Sequence, residues 1–214
     1  MKLRAASLFV GISHVAALVY AAIFLRPGTP DGGDLIERAS YVAANEAVWV
    51  AGWMAFVVAG GGLLWWMVLL RERLDPKRAS AGMHMAVLLT AVGLALECVA
   101  HGLSSGLLPS LADRHELSAF ASIERTVQIF GLVLGQAAFG TAILLAVVAL
   151  RHAKAVSAAA IGAGFVNVAA SAITIAAASA NNLEIAPAAT ALVIGSLLAL
   201  SVAVGLSPWA KPNG

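Results

Sequence analysis

EAVWVAGWMAFVVAGGGLLWWMVLL, residues 46–70, carries a single ionisable side chain, Glu46, at its first position. As a helix these residues reach about 37 Å at 1.5 Å per residue, enough to cross roughly 30 Å of bilayer hydrocarbon. Working outward from this stretch, five more read the same way: 5–25, 82–103, 125–150, 156–178 and 188–206. Turn signals separate them, among them Pro27-Gly28-Thr29-Pro30-Asp31-Gly32-Gly33, Asp75-Pro76, Pro109, Asn181-Asn182, Pro187 and Pro208. The fold class that follows is an all-α integral membrane bundle of six transmembrane helices forming one domain, 1–214.

Composition demands the same solution. Hydrophobic residues make up 61% of the chain and charged ones 11%, with a mean hydropathy of +0.91. Soluble domains are about half apolar and a quarter charged. The apolar excess has to face lipid, so the first partner is the bilayer.

The positive charges set an orientation. Lys2 and Arg4 precede the first span, Arg71, Arg73, Lys77 and Arg78 follow the second, Arg151 and Lys154 follow the fourth, and Lys211 follows the sixth. Six crossings bring all four groups to one side, and short loops rich in Lys and Arg stay in the cytoplasm. The expected topology is therefore N-in and C-in, in a bacterial-type inner (plasma) membrane. The other side receives Arg26, Asp31, Asp34, Glu37 and Arg38, then Asp113, Arg114 and Glu116, then Glu184. The start, Met-Lys-Leu-Arg before an apolar stretch and Val19-Tyr20-Ala21, resembles a signal peptide. The apolar run continues through Ile23, Phe24 and Leu25, so the reading is a retained first helix. Residues 110–122 mix polar groups with Leu111, Leu117 and Phe120, which suggests a short helix on the outer surface.

Several function classes drop out. The net charge of +2 and pI near 9.0 come from these loop clusters, with no basic aromatic face of the nucleic-acid-binding kind. Cys98 is the single cysteine, expected as a small buried hydrophobe, so no intrachain disulfide forms. There is no Walker loop, no His-Glu-x-x-His and no Gly-x-Ser-x-Gly. Ser104 and Ser105 beside His101 are read as helix-end residues rather than nucleophiles. The buried charge falls in the first four spans, which argues against a transporter of two matched halves and suits a four-helix core with two supporting helices.

Small residues and tryptophans mark packing. Gly131-Leu-Val-Leu-Gly135 is a literal GxxxG, the signature of a close helix contact, expected within the chain. Trp49, Trp53, Trp65, Trp66 and Trp209 read as interfacial anchors rather than as parts of a ligand cage.

The functional signal lies in ionisable groups inside spans, which are costly and usually face a bundle interior. Glu97 and His101 stand one turn apart on one helix face. Glu46 opens the second span at a similar depth, and Glu124, Arg125 and Gln128 open the fourth, with His14 about two turns deeper. The candidate ligand- or proton-binding set is thus Glu46, Glu97, His101, Glu124, Arg125, Gln128 and His14. Three readings follow. Arg125 pairs with Glu97, Glu46 or both as a structural cluster; the groups line an outward-facing pocket for a small ligand, ion or proton; or Glu97, His101, Glu124 and Glu46 hold a metal such as Zn, Mn or non-haem Fe. The metal reading is the weakest, because the one Glu-x-x-x-His has no counterpart of the di-iron Glu-x-x-His kind. Haem is disfavoured, since His14, His84 and His101 lie at three different depths and Cys-x-x-Cys-His is absent.

The function expected is a small polytopic membrane protein with a polar Glu/His/Arg pocket among helices one to four. A non-catalytic accessory or assembly subunit is the alternative, and an intramembrane enzyme ranks third. Substrate, cofactor and oligomeric state stay open, including membership of a larger membrane complex.

Overall fold

The computed structural model describes residues 2–74, 76–180, 182 and 185–207, and of residues 76–80 the backbone alone. Asp75, Asn181, Glu184, Pro208, Trp209 and Lys211 lie outside the described residues, as do the side chains of Lys77 and Arg78. Nine α-helices are described: α1 Lys2–Tyr20, α2 Leu35–Ala44, α3 Glu46–Arg73, α4 Pro76–Gly106, α5 Leu108–Asp113, α6 Leu117–Gln128, α7 Gln136–His152, α8 Ala158–Ser179 and α9 Ile185–Leu206. A π-helical turn, Ala21–Leu25, prolongs α1, and a second one, Ile129–Gly135, joins α6 to α7.

Six of the resulting rods are long and apolar enough to cross a membrane: Lys2–Gly28, Glu46–Arg73, Ala81–Asp113, Leu117–His152, Ala158–Ser179 and Ile185–Leu206. Large apolar side chains point away from the bundle on all of them, among them Ile12, Val58, Leu88, Leu134, Ile173 and Leu206. Water would not tolerate such a coat, and lipid does. The chain is a multi-pass membrane protein.

The rods pack as a ring. Each span lies against its sequence neighbours, α1 on α3, α3 on α4, α4 on α7, α7 on α8 and α8 on α9, and α9 returns to α1. The fifth and sixth spans close the ring between the fourth and the first. They do so with small residues and internal hydrogen bonds, such as Asn167 Nδ2 donating to Val193 O at 2.8 Å.

Two apolar cores fill the ring. The larger includes Leu3, Val10, Leu63, Trp66, Met67, Met83, Ile143, Leu150 and Leu200, toward the end that bears the N-terminus. The smaller gathers Leu25, Val42, Trp49, Leu108, Ala112 and Phe120 at the opposite end, under α2 and α5. By sequence the 26–45 part of that capped end reads as a connection. Asp34 and Glu37 instead form a reciprocal capping box that starts α2, with Asp34 Oδ1 accepting from Ile36 N at 2.8 Å and Glu37 N at 2.9 Å.

The surface helix expected over 110–122 is corrected too. The segment splits at His115, which adopts φ 56°, and the Glu116 N–H closes back on Leu111 O at 2.9 Å. This is a Schellman ending for α5. From Leu117 onward the chain is already the helix of the fourth span, which starts eight residues ahead of the expected position 125.

Candidate functional site

The site grows from the antiparallel contact of α3 with α4. Trp49, Trp53, Phe56 and Gly60 recur at helical spacing along one face of α3. They meet Ser104, His101 and Glu97 in descending order on α4. Trp49 Nε1 donates to Ser104 O at 2.8 Å. One turn on, the Trp53 ring stacks on the His101 imidazole at 5.0 Å and 26°, and Phe56 flanks the same ring at 5.8 Å and 35°. A further turn on, Gly60 faces Glu97 so closely that a β-carbon there would lie 3.2 Å from Oε2.

The fourth span closes the other side with its π-helical turn. A β-carbon at Gly131 would lie 3.6 Å from Ala100 Cβ, and one at Gly135 would lie 3.5 Å from Glu97 Cγ. The GxxxG pair thus makes a close helix contact inside the chain, as its sequence implies, and the contact is with Glu97's own helix. Single π turns interrupt α-helices often at functional positions. Trp53 and Phe56 pack on the smaller core and Leu94 on the larger one, so Glu97 and His101 occupy a polar layer between the two.

The electrostatics of this layer are unusual. His101 is 6% exposed, and neither Nδ1 nor Nε2 has a hydrogen-bond partner among the described residues. The indole N–H of Trp53 is likewise buried and unpartnered. No hydrogen bond or ion pair joins the Glu97 carboxylate to another described residue. Buried polar atoms are nearly always paired, and each exception calls for an explanation. Together these atoms offer two N–H donors, one imidazole acceptor and a carboxylate beside aromatic rings.

The other nominated residues go elsewhere. Glu124 is 8% exposed and takes a two-pronged ion pair from Arg38 on α2, Nη2 to Oε2 at 2.8 Å and Nε to Oε1 at 3.2 Å. Arg125 donates to Gln128 Oε1 at 3.1 Å and to Ala178 O at 3.1 Å. It thereby caps carbonyls at the end of α8, where helix ends leave acceptors free. The expected pairing of Arg125 with Glu97 or Glu46 is replaced by these contacts. Glu46 is exposed in the first turn of α3. His14 is partly buried, its Nδ1 2.9 Å from Val10 O in its own helix. Among the described residues no three His, Cys, Asp or Glu side chains assemble into a metal-holding group, so the set Glu97, His101, Glu124 and Glu46 is not brought together.

Trp49 and Trp66 are not interfacial anchors; they are 1% and 0% exposed, and Trp66 Nε1 donates to Ser7 Oγ at 2.9 Å across to α1. Trp65 is 44% exposed and keeps the outward position. Cys98, expected buried, is exposed on the face of α4 away from Glu97's partners. Ser104 and Ser105 bond back to Ala100 O and His101 O, not to the His101 ring.

Arg38 and Phe56 are absent from the expected site, and Trp53, expected as an interfacial anchor, stacks on His101 instead. Arg38 was hidden by the missed helix α2, although Asp34-x-x-Glu37 was there to announce it. The spacing of Trp49, Trp53, Phe56 and Gly60 was also present, but only a partner helix shows which face they form. No family of known sequences, characterised protein or solved structure matches this chain.

Proposed function

We propose that this membrane protein binds a small positively charged species, a proton or a cation, at the Glu97–His101 pair in the interior of its helix ring. The observation that carries this reading is a carboxylate and a buried imidazole one turn apart, with no partner for either among the described residues. An isolated charge away from water is strongly disfavoured, so a carboxylate here calls for a proton or a cation. Arg38 is committed to Glu124 and Arg125 to the end of α8, which leaves Glu97 without a counter-charge among the described residues.

The orientation belongs to the same proposal. Lys2, Arg4, Arg71, Arg73, Arg151 and Lys154 gather at the end of the ring opposite the α2–α5 cap, which supports a cytoplasmic location for both termini in an inner membrane. Glu97 and His101 then sit in the outer half, and α2 and α5 cover them from outside.

Infrared difference spectroscopy of the protein in nanodiscs tests the site. Stepping the pH should produce paired carboxyl and carboxylate bands that vanish in Glu97→Gln and persist in Glu46→Gln. Bands unchanged by Glu97→Gln would overturn the proposal.

A second reading, a structural subunit of a larger complex, draws on a different observation. Glu124 and Arg125, the most conspicuous charges of the fourth span, both serve as joints between elements. If that is the whole role, Glu97→Gln leaves every spectrum and every binding measurement unchanged.

A further inference from the structure

We infer that Glu97 exchanges a proton with His14 across a water-sized space inside the ring, so that the two form one proton-sharing unit between α4 and α1. This rests on the proposal that Glu97 and His101 bind a proton or a cation; it makes the species a proton and adds His14 as its second station.

Two buried stripes point to the space. On α4, Ala86, Thr90, Gly93, Ala100 and Ser104 recur at helical spacing and are all buried, while Glu97 in the middle of that stripe is half-buried. On α1, Leu3, Ser7, Val10 and Ala17 form a similar stripe, at most 5% exposed, and His14 between the last two is half-buried. The lipid-facing positions are others, such as Val92 and Val99 on α4 and Ile12 and Val19 on α1. A residue that stays accessible on an inward stripe, with buried neighbours a turn above and below, borders room for water within the bundle. In each stripe that residue is the ionisable one.

The two residues share a level. A β-carbon at Gly60 of α3 would lie 3.2 Å from Glu97 Oε2, and one at Gly62 would lie 3.8 Å from Oγ of Ser13, the residue before His14. Gly60 and Gly62 are about 3 Å apart along the helix axis. The depth difference of two turns expected from sequence is thus corrected to within about one turn, because depth counted from span ends ignores how helices slide against one another. Ala59 lies between these glycines on the inward arc of α3, 1% exposed. Its methyl group reaches only a little way into the centre, whereas two turns further in Trp66 and Met67 fill it.

The chemistry closes without another reactant. His14 Nδ1 lies 2.9 Å from Val10 O, so Nδ1 carries the ring hydrogen and Nε2 keeps the lone pair. No hydrogen bond joins Nε2 to another described residue. In the transfer the O–H bond of the Glu97 carboxyl breaks, water passes the proton on, and an N–H bond forms at Nε2. The products, carboxylate and imidazolium, carry the same net charge as the neutral pair, so neither form leaves an isolated charge in the ring. Few charged groups face the pair. The part of α3 between Glu46 and Arg71 and the whole of α9 hold no ionisable side chain. On the fourth span Glu124 and Arg125 are held by Arg38 and α8, and Arg151 and His152 stand at the far end. On α4 itself His101 is clasped by Trp53 and Phe56, Cys98 is exposed, and His84 lies three turns and more toward the other end.

The test uses the full chain in nanodiscs with the proton as the probe, infrared difference spectra for Glu97 and nitrogen NMR of labelled histidine for His14. In Glu97→Gln, His14 should need a pH lower by at least about one unit to become protonated, because the facing carboxylate is gone. In His14→Gln, the Glu97 carboxyl should persist to a higher pH by a similar amount, since coupling between two sites is reciprocal. His14→Asn serves as the second variant should the first fail to fold, and His101→Phe should leave the coupling in place. Excess sodium or calcium should not move the Glu97 bands of the wild type. Titrations of Glu97 and His14 that ignore each other, coupling of Glu97 to His101 alone, or displacement of the bands by the metal ions overturns the inference. If the Glu97 bands titrate but do not respond to His14→Gln or His14→Asn, the sharing is wrong and the Glu97 site stands. A Glu97 that never titrates removes both.

Discussion

Gly60 and Glu97 face each other across the α3–α4 contact at a distance where a β-carbon at position 60 would push the tips of Glu97 and Leu94 aside. A β-carbon at position 60 would lie 3.2 Å from Glu97 Oε2 and 2.9 Å from Leu94 Cδ1. The next residue, Gly61, has nothing within 4 Å of the same position. Gly60→Ala should therefore displace the carboxylate and perturb its infrared bands, whereas Gly61→Ala should be silent. The crowded atoms are the ends of flexible side chains, so the Gly60→Ala protein is expected to fold with its Tm changed little. Equal behaviour of the two variants would contradict the geometry.

Arg38 and Glu124 form the joint between the α2 cap and the fourth span. With side chains 12% and 9% exposed, each shields the other from an unpaired buried charge. Removing one partner of such a pair costs about 3–5 kcal/mol, while apolar replacement of both is often tolerated. Arg38→Met and Glu124→Leu should each lower Tm sharply, and the double variant should recover much of the loss. Additive losses in the cycle would show that the pair does not couple.

Glu97 and Arg125 are separated by their partners, one facing Gly60 and the other the end of α8. Glu97→Gln and Arg125→Gln should consequently add in stability, as distant sites do. The arginine change should lose about 0.3–1 kcal/mol, the worth of a cation at a helix C-terminus. Partial rescue in the double variant would restore the direct pairing that the sequence suggested.

How far the sequence reaches depends on which physics it encodes. The six rods are legible because bilayer thickness fixes a minimum length of apolar residues, and each rod carries its own signal. The pairing of Glu97 with His101 is legible because helical spacing is local. Partner choice is not local. Arg125 faces α8 rather than Glu97, and Trp53 faces His101 rather than lipid, because helix rotation is set by neighbours such as Gly60 and Gly135. The bounds of α5 are not legible because it ends on His115 and not on a glycine, which removes the usual stop signal.

Both termini should lie in the cytoplasm, with the 27–33 turn on the other side. Reporter fusions at the C-terminus and within that turn test the arrangement. A periplasmic signal from the C-terminal fusion would reverse the orientation and move Glu97 to the inner half.

His101 provides the sharpest separation of stability from function. Its ring is held between Trp53 and Phe56, yet neither nitrogen has a partner among the described residues. An unsatisfied buried polar group costs about 1–3 kcal/mol, and apolar replacement of similar shape removes that cost. Phenylalanine keeps the stacking while deleting both nitrogens, so His101→Phe should raise Tm in detergent and in nanodiscs. The same change should weaken cation binding, because the acceptor beside Glu97 is gone. Such opposition is expected where a site keeps polar atoms for a ligand at the expense of packing. His14→Phe serves as the control, since the His14 ring already approaches Val10 O and its loss should bring no gain. If His101→Phe lowers Tm instead, the imidazole is structurally satisfied and the case for a ligand at this layer fails.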